Sequence, residues 1–231
     1  STTNDATIAL TFTSSESTTT FASGDIAVTN GTLSNFAGSG ATYTATFTPT
    51  TDGACTINVD ASTFTDPYGN NNTAAAEFNW TYDGTSPTMA IASTTSGVTD
   101  GSRTNDSTIA LTFTSSESTD NFVVGDIAVS GGSLSNFAGS GTDYTATFTP
   151  TADGACTIDV DAGGFTDAVG NGNTAATQFN WTYDSTGPTM TITSSTSGVI
   201  TGSTTNNSVI NLTFTSNEAT TTFALADISV S

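Results

Sequence analysis

A long internal repeat constrains this chain more than any other feature. Phe12 recurs as Phe113, Cys55 as Cys156, Trp80 as Trp181 and Met89 as Met190, each time 101 residues on. Residues 1–86 and 102–187 agree at about three quarters of their positions. A further copy opens at Pro188, with Ile210, Leu212, Phe214, Glu218, Phe223 and Asp227 again in phase. Repetition at this length implies beaded or stacked modules, where function usually belongs to the array. The punctuation is the run Phe165-Thr166-Asp167-Ala168-Val169-Gly170-Asn171 followed by Phe179-Asn180-Trp181-Thr182-Tyr183-Asp184 and Pro188; its earlier copy runs from Phe64 to Pro87. A turn leads into an aromatic strand, the strand ends on an aspartate, and a short linker reaches a proline. The expected boundaries are a first module over 1–86 lacking its first strand, a complete module over 87–187, and the N-terminal part of a third over 188–231. The chain is expected to be a window on a longer array.

Within the complete module the apolar residues alternate with period two, the strand signature. Seven short strands are expected. Strand A carries Met89 and Ile91, strand B Ile109, Leu111 and Phe113, and strand C Ile127 and Val129. Strand D carries Leu134 and Phe137, strand E Tyr144, Ala146 and Phe148, strand F Cys156, Ile158 and Val160, and strand G Phe179, Trp181 and Tyr183. The Gly/Ser/Asn-rich segment Ser96–Asn105 reads as a turn, Ser115–Asp120 as a loop, and Gly139-Ser140-Gly141 as a turn. No apolar period of 3.6 lasts beyond a turn. Seven alternating strands in about 100 residues indicate an all-β chain of tandem immunoglobulin-like sandwiches. The Cys–Trp–Cys spacing of antibody domains is absent.

Composition removes several classes of function. The chain has 21 acidic residues, one basic residue (Arg103) and no histidine or lysine, for a formal charge of -20. Such a surface repels phosphate and anionic lipid, so neither nucleic-acid binding nor direct membrane insertion of this segment is expected. Without histidine or lysine, general acid–base or nucleophilic catalysis has little to use, and no enzyme activity is expected. Abundant Thr suits the solvent face of strands rather than disorder. Cys55 and Cys156 sit at inward strand positions, where a thiol acts as a small apolar group. A bridge between them would have to join two cores, so both are expected to be free.

The run Thr108-Ile109-Ala110-Leu111-Thr112-Phe113-Thr114-Ser115-Ser116-Glu117 resembles the bacterial Ig-like repeats of large secreted surface proteins and adhesins. So do Gly125-Asp126-Ile127-Ala128-Val129, Leu134-Ser135-Asn136-Phe137 and Tyr144-Thr145-Ala146-Thr147-Phe148-Thr149-Pro150, and Phe165-Thr166-Asp167 with Gly170-Asn171. The likeness spans the whole module. It implies export, a place at the cell surface or secreted outside it, and an array longer than this chain.

An Ig-like topology places the B–C and F–G loops at the pole that receives the preceding module. Hard cations such as calcium take several oxygens from Asp, Glu and Asn side chains and from carbonyls. Asp83 from the incoming linker, Glu117 and Asp120 from the B–C loop, and Asp167 and Asn171 from the F–G loop are therefore expected to converge at a junction and could hold calcium. Asp184 and Glu218 are the corresponding pair at the next junction. Glu16, Asp66 and Asn70 are the equivalents in the first module. The alternative is that Asp-x-x-Gly-Asn is simply a well-formed turn, because Asp and Asn hydrogen-bond their own backbone.

The functional expectation is a structural spacer or stalk repeat of an extracellular bacterial fibre or giant adhesin. Its partners would be neighbouring Ig-like modules of the same chain or fibre, with lateral self-association as a further possibility. The alternatives are a self-assembling filament subunit and a glycan- or protein-binding module. Binding through repeated loops would require shared exposed aromatics, yet Tyr68 of the first module is replaced by Val169 in the second.

Overall fold

A computed structural model describes residues 1–230. The first module contains β1 (Thr2–Thr3), β2 (Ile8–Thr18), β3 (Ile26–Thr29), β4 (Gly31–Pro49), β5 (Gly53–Val59) and β6 (Phe78–Tyr82). The second contains β7 (Met89–Ser93), β8 (Ser102–Thr104), β9 (Ile109–Thr119), β10 (Ile127–Ser130), β11 (Gly132–Pro150), β12 (Gly154–Val160) and β13 (Phe179–Tyr183). In the second module one sheet has the order β11-β9-β7 and the other β10-β12-β13-β8. The first module repeats the four-stranded sheet as β1-β6-β5-β3, but its other sheet has only two strands, β2 and β4.

The core of the second module lies between its two sheets. Ile109, Leu111, Phe113, Tyr144, Ala146 and Phe148 point inward from one sheet, and Ile127, Cys156, Ile158, Val160, Phe179 and Trp181 meet them from the other. These are the expected inward positions, because a strand sends alternate side chains to one face. Phe122 knits the far end, packing edge-on against Phe137, Tyr144 and Phe165 with ring centroids 5.1–5.7 Å apart. Trp181 meets Phe148 edge-on at 4.8 Å, as Trp80 meets Phe47 at 4.9 Å. Both cysteines are free and fully buried. Burial pushes the Cys156 thiol up, away from the reactive thiolate.

Three details differ from the strand pattern expected above. Ser102–Thr104 lies inside the expected Ser96–Asn105 turn but forms a strand running parallel to β13, with Ser102 opposite Trp181. This strand supplies partners to an edge that would otherwise be bare, and Asp100 Oδ1 anchors its approach by accepting from Asn180 N and Nδ2, both at 2.8 Å. The expected loop after strand B is instead a continuation of β9 to Thr119. Ser115 and Thr119 are buried, Glu117 is half-buried, and Ser116 and Ser118 face solvent. The alternation thus continues with polar side chains, and the Tyr144 hydroxyl donates to Thr119 O at 2.9 Å. Expected strands D and E form one long element, β11, whose two halves face each other. Ser135 Oγ and Asn136 Nδ2 both bond to Thr147, and Thr145 Oγ1 donates to Ala138 O. Between them Gly139 and Gly141 take φ of 145° and 68°, a reversal that favours glycine.

The segment from Asp184 onward is a separate compact unit. It contains β14 (Met190–Ser194) and β15 (Leu212–Ser216), paired antiparallel with Ile192 opposite Phe214. No helix of the described residues is long and apolar enough to cross a membrane.

Candidate functional site at the module junction

The linker after β6 is held from both sides. Asp83 N donates to Thr3 O at 3.0 Å, which keeps the start of the linker in line with β1. Asp52, in the β4–β5 turn, accepts from Gly84 N at 2.7 Å and from the Thr85 hydroxyl. The Thr85 bond and then the Gly84 bond hold the Asp52 carboxyl below the usual carboxylate range. Beyond the linker, Pro87 O accepts from Thr174 N at 3.0 Å, and Thr88 exchanges backbone and side-chain bonds with Ser116. Asp83, Gly84, Thr85, Pro87 and Thr88 are therefore each held by a polar contact.

The turn Asp167–Asn171 reaches this linker from the second module. Asp167 Oδ1 accepts from Val169, Gly170 and Asn171 amides at 2.7–2.9 Å, and Oδ2 accepts from Asn171 Nδ2 at 2.8 Å. Burial pushes this carboxyl up, but the bonds from Asn171, Val169 and Gly170 outweigh burial and leave it below its ordinary value. Asn171 then spans the boundary. Its Nδ2 donates to Asp83 O at 3.0 Å, and its Oδ1 accepts from Asn4 Nδ2 at 3.2 Å.

Glu117 completes the site from β9. Carboxylate oxygens of Asp83, Glu117 and Asp167 all lie within 4.8 Å of one another. Burial pushes the Glu117 carboxyl above its ordinary value, and the charges of Asp83 and then Asp167 add to the rise. Three carboxylates from three separated stretches of chain thus share a half-buried volume at a boundary between modules. Two oxygens bound to one calcium at about 2.4 Å can be at most about 4.8 Å apart. The spacing, the hard-oxygen character and the shared charge all fit a calcium-sized cation.

The structure assembles part of the expected ligand set. Asp83, Glu117 and Asp167 form the group, and Asn171 flanks it with its amide nitrogen turned to Asp167 and Asp83 O. Asp120 lies outside: it is exposed just past the end of β9, because the alternation that turns Glu117 inward sends residue 120 outward. Asp184 and Glu218 lie in the separate C-terminal unit, where Glu218 Oε1 accepts from Asn217 Nδ2 at 3.3 Å.

In the first module, Asp66 repeats the turn bonds, accepting from Tyr68 N, Asn70 N and Asn70 Nδ2 at 2.7–2.8 Å, and its carboxyl is held low chiefly by the Asn70 side chain. Glu16, however, is exposed. The turn's own bonds are thus the same in both copies, and what the junction at residue 83 adds in the second is Asp83 and the inward Glu117. Tyr68 is 91% exposed, whereas Val169 is half-buried, so the two turns do not present a shared aromatic surface. No motif or periodicity marks the anchoring of the linker by Asp52 or the bridging by Asn4. Both are single polar residues in turns, and their roles depend on tertiary placement.

Facing sheets of four and three strands, with tandem copies joined end to end through a polar junction, define a chain of immunoglobulin-like β-sandwiches. The profile of the bacterial Ig-like domain family matches residues 1–82 and again 83–183, and the chain belongs to that family. Domains of this family are typically non-catalytic and are often found in surface or extracellular proteins. No curated protein shows a match to the chain.

Proposed function

We propose that this chain is a non-catalytic spacer of an extracellular bacterial fibre or giant adhesin, with calcium stiffening its module junctions. The observation that carries the reading is the meeting of Asp83, Glu117 and Asp167 within 4.8 Å of one another, one acid from the first module and two from the second. Without a counter-ion, three carboxylates at this range repel one another and oppose the junction they occupy. A divalent cation reverses that sign and ties the end of one module to two segments of the next. Asp83, Glu117 and Asp167 would hold the ion. Asn171 and Asp52 act as positioning residues, fixing the Asp83 backbone and the linker beyond it. A spacer gains from such a joint because a stiffened array projects whatever it carries farther than a freely hinged one.

Calorimetric titration of the 231-residue chain tests the reading. Calcium uptake is expected with a Kd of about 10⁻⁴–10⁻³ M, the range of extracellular modules. Asp167→Asn and Glu117→Gln should each abolish it while leaving the chain folded. Uptake should also weaken as pH falls, because calcium displaces the proton that burial favours on Glu117. No uptake at millimolar calcium would end the proposal.

A further inference from the structure

Asn171, the residue that spans the junction, is followed by Gly172, whereas the first module has Asn70-Asn71 at these positions. A backbone nitrogen can attack the side-chain amide of the asparagine before it, and glycine brings no Cβ to obstruct that approach. Gly172 is exposed and faces Thr166 in an isolated antiparallel bridge. The bonds on either side of that bridge run from Asp167 N to Asn171 O at 3.1 Å and from Asn173 N to Phe165 O at 2.9 Å. Thr166 and Gly172 are therefore the non-hydrogen-bonded pair, whose amides turn away from the partner segment. No described residue accepts a bond from Gly172 N.

The amide under attack is polarised. Asn4 Nδ2 donates to Asn171 Oδ1 at 3.2 Å, and this is the oxygen that gathers negative charge when a nitrogen adds to Cγ. The other Asn-Gly pair, Asn30-Gly31, is held differently. Asn30 Nδ2 donates to Thr51 O at 2.7 Å, and Asn30 Oδ1 accepts from Thr51 Oγ1 at 2.8 Å. Gly31 is half-buried, with Phe47 and Thr48 O filling the space where a Cβ would stand. Of the two pairs, Asn171-Gly172 alone combines a solvent-facing glycine amide with a place at the acidic junction.

We propose that Asn171-Gly172 is a self-modifying site, where the hydrogen-bonded latch between the modules converts into a fourth carboxylate beside Asp83, Glu117 and Asp167. Gly172 N gives its proton to solvent and bonds to Asn171 Cγ. The Cγ–Nδ2 bond then breaks, and the amide nitrogen takes a proton from solvent and leaves as ammonia. Water opens the resulting succinimide at Cγ or at the backbone carbonyl carbon, leaving aspartate or isoaspartate. One water is consumed, one ammonia is released, and nothing is oxidised or reduced. In the aspartate product an oxygen replaces the nitrogen that lies 2.8 Å from Asp167 Oδ2 and 3.0 Å from Asp83 O. Without a cation, two attractive contacts become repulsive. With one, the added charge tightens binding, because ligand charge count helps to set affinity. This last consequence rests on the calcium joint proposed above; the conversion and the loss of the latch do not.

Peptide mapping by mass spectrometry, on the 231-residue chain incubated in calcium-free neutral buffer, tests the site. Acid at residue 171 is expected to accumulate on the order of tenfold faster than at Asn30 or Asn70, a barrier difference of about 1.4 kcal/mol. Gly172→Ala should slow it to the rate of Asn70. A Cβ added at Gly172 meets only Gly163 Cα, at 3.7 Å, so this variant keeps the fold. Asn171→Asp reproduces the aspartate product. It should unfold at a lower temperature than the parent in chelator and take up calcium on the order of tenfold more tightly. Conversion at Asn30 ahead of Asn171, or an unchanged rate in Gly172→Ala, overturns the site. Equal unfolding temperatures in chelator overturn its effect on the latch, and equal calcium affinities overturn the gain in binding. A parent chain that takes up no calcium refutes the calcium joint itself, and the rates and unfolding temperatures then decide the self-modifying latch on their own.

Discussion

Phe78 and Phe179 occupy the same position in two modules that are identical at 64 of 86 aligned residues, yet Phe78 is 54% exposed and Phe179 only 5%. Their immediate neighbours on the strand, Asn-Trp-Thr-Tyr-Asp, are the same. The difference arises from β7, which pairs with β9 and brings Met89 and Val98 over the second core while nothing described covers the first. The same contrast appears at the acidic end. Glu117 is half-buried beside Asp83 and Asp167, whereas Glu16 is exposed. Nearly identical strands therefore reach different local states according to which segments lie against them: β7, the first strand of the second module, over its core, and the linker residue Asp83 beside its acidic end.

The largest test of this comparison is paired truncation. Phe179→Ala should destabilise the second module by about 3–5 kcal/mol, as for a closed aromatic core, and Phe78→Ala the first by only about 1 kcal/mol. Urea unfolding followed separately in each module by its tryptophan, with the other replaced by Phe, reads both values; equal losses would remove the distinction. Next in size, Met89→Ala should cost the second module about 2–4 kcal/mol and raise solvent access to Phe179, making it resemble the first. Hydrogen exchange along β9 would follow that change.

Smaller effects are expected at the junction. Asn171→Ala removes bonds to a carboxylate and to Asp83 O and should cost about 1–3 kcal/mol, whereas Asn70→Ala in the 231-residue chain removes the bond to Asp66 alone and should cost less. Thermal unfolding of the two variants measures the gap. The pH effect is the smallest and has a defined sign. Because folding raises the Glu117 carboxyl, its contribution is fully present below the ordinary value of 4.5 and disappears as pH rises through the raised folded value. Asp167 runs the other way: its contribution is present above 3.8 and is lost as pH falls through its lowered folded value. In calcium-free buffer, Glu117→Gln should remove the loss of stability seen on raising the pH from the Glu117 range toward neutrality. A pH profile identical to that of the parent chain would contradict the assignment.

Much of this was legible in the chain. Period-two alternation at Ile109, Leu111 and Phe113 and at Cys156, Ile158 and Val160 identified the inward faces directly, because apolar burial and strand period point to the same residues. Alternation carried by polar residues was not legible. Ser115, Glu117 and Thr119 continue the inward row of β9, but hydropathy marks them as loop, and so Glu117 and Asp120 were expected to act together when they point to opposite sides. The parallel strand Ser102–Thr104 was hidden for a related reason: its only role is to satisfy the edge of β13, and it buries no large side chain. The turn from Asp167 to Asn171 was legible from Asp-x-x-Gly-Asn. Its approach to Asp83 depends on the linker geometry that Asp52 and Asn4 help to establish, which no local pattern encodes.

A cation-dependent joint formed by the acids at the junction is the central element of the proposed function. Spin labels at the exposed equivalent positions, introduced as Ser39→Cys and Ser140→Cys, would report the separation of the modules by dipolar spectroscopy while buried Cys55 and Cys156 stay unreactive. A narrow distance distribution is expected in millimolar calcium, broadening when a chelator removes the ion, with no such dependence in the Glu117→Gln, Asp167→Asn variant. Distributions of equal width with calcium and with chelator in the parent chain would contradict it.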